Sequence, residues 1–320
     1  MILRFILTAA LLLAASAGGY WARRRKLADE RLAEKLMTLV VALGYSVIGF
    51  LSVWSIRLHA SDLWLPVLGG AHVLLMIAVG FAAARLVAAD RSERALLGLS
   101  AGIGNTGITM GGFVLYLLFG VEGLGLSGIY SLMWYPMIVL AAYPIARHWS
   151  ENPTRGSLGG LLLRSVLDWR SIGLPMTVVA IFLSIAEVPY PRAVDDWYVV
   201  DALMFLVIAL AYFSIGLRLH FSFLAALRWQ IVVHALLRFA VAAGLAVLLV
   251  WLTRLTPWPL EGLSRNVLVL ESFMPVAVTV VAIANMFSLK PREASVLFVT
   301  NTVLYLAIVL PIVLWIFSRP

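Results

Sequence analysis

Long apolar runs, parted by short polar or basic stretches, make up almost the whole chain. Ten runs are legible, at about 2–21, 36–55, 63–87, 95–119, 124–146, 171–188, 198–217, 229–253, 264–288 and 292–317. Their lengths suit a hydrocarbon core about 30 Å thick crossed at 1.5 Å per residue. The pattern predicts an all-α polytopic membrane protein with ten transmembrane helices. Two runs are interrupted inside. The fourth holds Gly104-Asn105-Thr106-Gly107-Ile108-Thr109-Met110-Gly111-Gly112, four glycines and three polar side chains where a spanning helix should be continuous. The ninth reads Glu271-Ser272-Phe273-Met274-Pro275-Val276-Ala277-Val278-Thr279. Pro275 has no N–H to give a helix and clashes with the preceding turn. Unpaired backbone groups cost several kcal/mol each in a bilayer, so such breaks persist only when buried in protein or lining a cavity.

The longest polar interval, 147–170, divides the chain five runs to five, and Leu161 to Arg164 within it suits a short interfacial helix. The halves, 1–146 and 171–320, share faint features. Ile56-Arg57-Leu58-His59-Ala60-Ser61 follows run two, and Leu217-Arg218-Leu219-His220-Phe221-Ser222 follows run seven. Pro144-Ile145 matches Pro311-Ile312, an offset of 167 that also sets Ile108 opposite Pro275. Five crossings per half reverse its orientation, so the expected architecture is two inverted five-helix repeats with broken helices 4 and 9 crossing at the midplane. The crossing would bring two half-helix N-termini together, a site for an anionic group.

Composition agrees with a membrane setting: 62% of the 320 residues are hydrophobic, 12% are charged, and mean hydropathy is +0.99. A soluble domain carries about 25% charged residues. The net charge of +8 comes from loops, with no basic groove interleaved with aromatics, so nucleic acid is not an expected partner. Seventeen of the 24 Lys and Arg fall in odd-numbered loops and six in even loops or termini, which places odd loops in the cytoplasm and both termini outside. The expected location is the inner or plasma membrane. Ala15-Ser16-Ala17 has the form of a signal-peptidase site, but Arg23, Arg24, Arg25 and Lys26 follow at once, and a retained first helix is expected. There is no Cys, hence no thiolate metal site or Cys nucleophile. No metal-ligand cluster, nucleophile elbow or phosphate loop is present, so neither an enzyme nor a resident cofactor is expected.

The polar groups inside the runs are the candidate site. Asn105, Thr106 and Gly107 are expected to meet substrate by side chain and backbone; Pro275 and Thr279 belong to the second break, and Asn301 to the cluster Thr300-Asn301-Thr302. That cluster either lines the same cavity or bonds between helices. Glu271 lies about two turns into run nine; it is either a carrier of a coupling H+ or Na+, or one half of an ion pair with Arg238 or His234. Arg238 is expected to snorkel to the cytoplasmic side, a substrate clamp being the sharper alternative. His72 and His234 are expected to be packed or hydrogen-bonded.

These residues resemble the auxin efflux carrier family, relatives of the bile-acid/sodium symporters within the bile-acid/arsenite/riboflavin transporter superfamily. The resemblance rests on Gly19-Tyr20 before the basic cluster and on Gly104-Asn105-Thr106-Gly107. It continues through the stretch from Phe119 to Leu124, that from Ser214 to Leu219, and Met274-Pro275-Val276-Ala277. The family pattern has proline where Gly112 and the Gly44-Tyr45 region stand, glycine at Met110, and Asp then Asn where Ser131 and about Trp134 stand. The resemblance implies ten helices in scaffold and transport bundles, and transport of a small organic anion, a carboxylate in the first instance, by alternating access. A homodimer is the assembly considered. A sodium-coupled symporter is the nearest alternative, and a sensory or assembly protein that kept the fold without turnover is the next.

Overall fold

The structure is a computed structural model that describes residues 2–150, 159–160, 172–218 and 227–317. Among the described residues the regular elements of ten residues or more are helices, in chain order α1 (Ile2–Arg24), α2 (Arg31–Ser55), α3 (Ala60–Val87), α4 (Arg91–Gly102), α5 (Met110–Trp149), α6 (Gly173–Ile185), α7 (Val199–Leu217), α8 (Arg228–Thr253), α9 (Gly262–Ser272), α10 (Val278–Phe287) and α11 (Pro291–Phe317). Six of them, α2, α3, α5, α7, α8 and α11, are long and apolar enough to span a bilayer, so this is an all-α, multi-pass membrane protein. The interfacial helix expected near Leu161 lies outside the described residues, as does most of the 147–170 interval and part of the Leu217 to Ser222 match.

Local sequence explains where these helices start and turn. Asp90 caps α4 by accepting from Glu93 N at 2.8 Å, and Glu93 answers by accepting from Ala89 N at 2.6 Å. This reciprocal cap starts the fourth run at Arg91, four residues earlier than hydropathy alone suggests. A straight helix of 40 residues would extend about 60 Å, twice a bilayer core. The 40-residue α5 instead turns at Gly120, whose φ of 66° and ψ of −153° suit only glycine, so 110–119 and 121–149 are separate arms. Four helices carry one π-turn each, at Val40–Tyr45, Ile138–Ala142, Leu237–Val241 and Tyr305–Val309. Such a turn inserts a residue and rotates the face that follows it.

Two groups of helices result. In one, α1 packs on α7, α6 on α2, and α7 on α2. In the other, α3 packs on α4, α8 and α9, while α11 packs on α8 and α10. α5 adjoins α2 and thereby joins the groups. Between α4 and α5, and between α9 and α10, the chain leaves the helix, and these two interruptions run antiparallel past each other at Gly104 and Val276.

Candidate functional site

Each helix interruption strands backbone donors and acceptors that lipid cannot satisfy. The crossing pairs several of them with one another. Ala277 N donates to Ile103 O at 3.1 Å, and Asn105 N donates to Pro275 O at 2.6 Å. Further groups go to three buried side chains.

Asn301, 3% exposed on α11, accepts from Val276 N at 3.0 Å through Oδ1. Its Nδ2 lies 3.4 Å from His234 Nδ1. Glu271, at 0% exposure, accepts from Gly107 N at 2.9 Å and from Ser127 Oγ at 2.5 Å. Arg238, 1% exposed, donates through Nη1 to Ala101 O at 2.9 Å and through Nε to Met274 O at 3.0 Å, with a further close bond from Nη2 to Met274 O. These carbonyls sit at the C-terminal ends of α4 and α9, where a helix end carries roughly half a negative charge. Hydrogen bonds to a charged group contribute about 1.5–3 kcal/mol each. That is the scale needed against the several kcal/mol that burying an ion costs.

Two glycines make this possible. Gly107 has a φ of 72°, in the left-handed region, and a Cβ there would run into Ser131 Oγ. A Cβ on Gly104 would run into the Arg238 guanidinium.

Arg238 therefore does not snorkel: its head is buried and is not among the groups that line the cavity beside the crossing. The π-turn Leu237–Val241 that contains it directs its head into the protein. The alternative ion pair of Glu271 is also absent: among the described residues Glu271 meets no cation, its oxygens being held by Ser127 and Gly107. His72 is hydrogen-bonded as expected, its Nε2 lying 3.0 Å from Ala242 O.

Beside the crossing lies a cavity of about 190 Å³ between the two helix groups. Asn105, Thr106 and Thr109 line it from the first break, and Ala277, Val278 and Thr279 from the second. The N-terminal ends of α5 and α10 thus face one space. Thr109 Oγ1 lies 2.8 Å from both Asn105 Oδ1 and Thr106 O. That contact engages the Asn105 carbonyl oxygen and leaves its amide NH₂ without a partner among the described residues. The remaining wall is mostly apolar or aromatic, with Tyr45, Phe113, Trp134, Tyr212 and Phe298 the largest groups and Ser46, Ser131 and Thr177 its polar members. Tyr212 is 5% exposed and its hydroxyl has no partner among the described residues. None of the described residues lining the cavity is charged.

Of the sequence-derived candidates, Asn105, Thr106 and Thr279 line the cavity, while Gly107, Pro275, Glu271 and Asn301 lie behind it and build the crossing. Thr300 bonds back to Val296 O at 2.7 Å on its own helix. Ser127 and the aromatic wall were not legible as site residues. The small-residue run Gly123-Leu124-Gly125-Leu126-Ser127-Gly128 was a signal only for close helix packing.

No sequence model of a known protein family matches the chain, and no match to it was found among the curated proteins.

Proposed function

We propose that this protein is a secondary transporter of a small organic anion, built on the auxin efflux carrier plan and working by alternating access. In this reading ten membrane crossings form two inverted five-helix repeats, with α4 plus the first arm of α5, and α9 plus α10, as the broken helices. The observation that carries it is the antiparallel crossing of the two breaks with both following N-termini at one cavity. The π-turns supply a second support: Ile138–Ala142 and Tyr305–Val309 are 167 residues apart, the spacing of Pro144 and Pro311.

Two helix N-termini offer roughly one positive charge between them. With no charged side chain in the described wall, that suits one carboxylate, held by Asn105, Thr106 and Thr279, with the organic remainder against the aromatic wall. Pro275 and Asn301 keep the second break open. Glu271 holds the N–H of Gly107 at the start of the same α5 end. Ionised, it competes with the substrate for that positive end. Protonated, it leaves the end to the anion, so a proton enters with each anion. Transport makes no covalent bond, and no residue is assigned to catalysis.

The cavity is lined by Met37 and Val41 of α2, Gly173, Leu174 and Thr177 of α6, and Ile215 of α7. All lie near odd-numbered loops, the cytoplasmic side by charge. At the opposite side the Tyr116 hydroxyl donates to Asp201 and ties α5 to α7. On this reading the protein is an inward-facing carrier in the inner or plasma membrane with both termini outside.

Counterflow in proteoliposomes tests the reading. Vesicles loaded with unlabelled mono- or dicarboxylates should take up labelled acid saturably, monocarboxylates more avidly than dicarboxylates of similar size. Asn105→Ala should abolish uptake without loss of folded protein. Unchanged uptake by that variant would sink the site, and no counterflow for any acid would sink the function.

A further inference from the structure

We infer that Arg238 is a tethered cation that permanently fills the place a free coupling cation would take, so that neither Na+ nor K+ binds at the crossing. The inference deepens the transport reading and rests on it only where it speaks of coupling. In carriers with broken helices, unwound carbonyls and half-helix C-terminal ends coordinate the driving cation. Here α4 ends at Gly102 and α9 at Ser272, and the carbonyls beside those ends are Ala101 O and Met274 O. One guanidinium holds both, a carbonyl from each break, as a bound metal ion would.

The other employments of a buried arginine do not apply. Arg238 meets no carboxylate among the described residues, and it is not part of the cavity wall. Gly104, lacking a Cβ, leaves the space the guanidinium occupies. A guanidinium stays protonated in proteins and cannot leave its chain. A gradient of Na+ or K+ therefore has nothing to act on at this point, and Glu271 is left as the group that exchanges its ion.

Thermal unfolding of the purified protein in detergent tests this without any transport. Wild type should unfold at one temperature in NaCl, KCl and N-methylglucamine chloride of equal ionic strength. Arg238→Ala should unfold lower by roughly 5 °C or more. It should recover saturably on addition of millimolar guanidinium or Na+. Arg238→Lys, which keeps the charge on a single point, should fall between the two and ignore the salt cation. A saturable rise of wild type with Na+ or K+ overturns the inference, as does an Arg238→Ala protein that no small cation restores. If Arg238→Ala does not fold, Arg238→Lys decides: folded and salt-insensitive supports the inference, unfolded overturns it. Cation rescue of Arg238→Ala in a protein without counterflow would sink the transport reading and leave this one standing.

Discussion

Asn301 and Thr279 offer a sharp test of what the crossing is for, because both are polar residues of the second half and only one faces the cavity. Replacing Asn301 by alanine removes the acceptor of Val276 N, a donor on a residue with 0% exposure. An orphaned buried N–H costs about 1–3 kcal/mol. At about 2–4 °C per kcal/mol, Asn301→Ala should unfold roughly 2–12 °C below wild type. The substrate constant of the protein that remains folded should stay near the wild-type value, since Asn301 is behind the wall. Thr279→Ala removes a half-buried hydroxyl from the wall itself. It should leave the unfolding temperature within a degree or two and weaken anion binding several-fold, about 0.5–1.5 kcal/mol for one hydrogen bond. The two readouts are tryptophan fluorescence against temperature and counterflow against substrate concentration. If Asn301→Ala kept full stability and lost affinity, the carboxamide would be a substrate ligand and the assignment of Val276 N as its partner would be wrong.

Gly107→Ala should be destabilised by about 1–2 kcal/mol for its left-handed backbone alone. Adding Ser131→Gly should recover the steric part of the loss but not the backbone part, as read by unfolding temperature. Tyr116→Phe removes a hydrogen bond to a carboxylate, about 1.5–3 kcal/mol, and should raise the outward-open population roughly tenfold or more. With no native Cys in the chain, the rate at which an external thiol reagent labels Phe113→Cys reports this, and an unchanged rate would refute a latch between Tyr116 and Asp201. Lys290 Nζ lies 2.6 Å from the Asp90 carboxylate, both about one-third exposed. Burial pushes the Asp90 carboxyl up, but Lys290 and the N–H groups of Glu93 and Ser92 outweigh it and hold the group below its ordinary value. A depressed carboxyl stabilises above its unfolded value and loses that contribution as pH falls through its folded one. Lys290→Ala should therefore cost up to about 1 kcal/mol near neutral pH. The difference should begin to shrink as pH falls below about 4, the ordinary carboxyl value, and be lost only at the lower pH where folded Asp90 itself takes up its proton; a difference that did not shrink on acidification would deny the pair its electrostatic role.

The membrane class and both breaks were legible because they are local: an apolar run announces a helix, and Gly104 to Gly112 or Pro275 announces its interruption. The partners of the broken backbone were not, because they arrive from other helices at long sequence separation. Arg238 sits 36 residues from Met274 and 137 from Ala101. An arginine about two turns from a helix end ordinarily reaches for water. Only the π-turn around it, which no apolar period announces, reverses that expectation. Asn301 is legible as polar and intramembrane, but its side chain is committed to Val276 rather than to the cavity, a distinction that depends on which face of α11 meets the second break.

The same accounting explains why the crossing would favour an anion at all. A broken helix creates one positive and one negative end, and two of them side by side cancel unless something breaks the balance. Arg238 does so by covering the carbonyls beside the ends of α4 and α9 with a full positive charge. The N-terminal ends of α5 and α10 are left facing the cavity, with Glu271 placed to oppose the first of them. On the proposed reading, selectivity for negative charge would follow from backbone geometry and two buried side chains, with no charged residue needed in the wall. An anion site of this kind binds most strongly when Glu271 is neutral. Substrate affinity should accordingly fall as pH rises in wild type and become independent of pH in Glu271→Gln. A wild-type affinity that ignored pH, or a Gln variant that still followed it, would break the link between this carboxyl and the substrate.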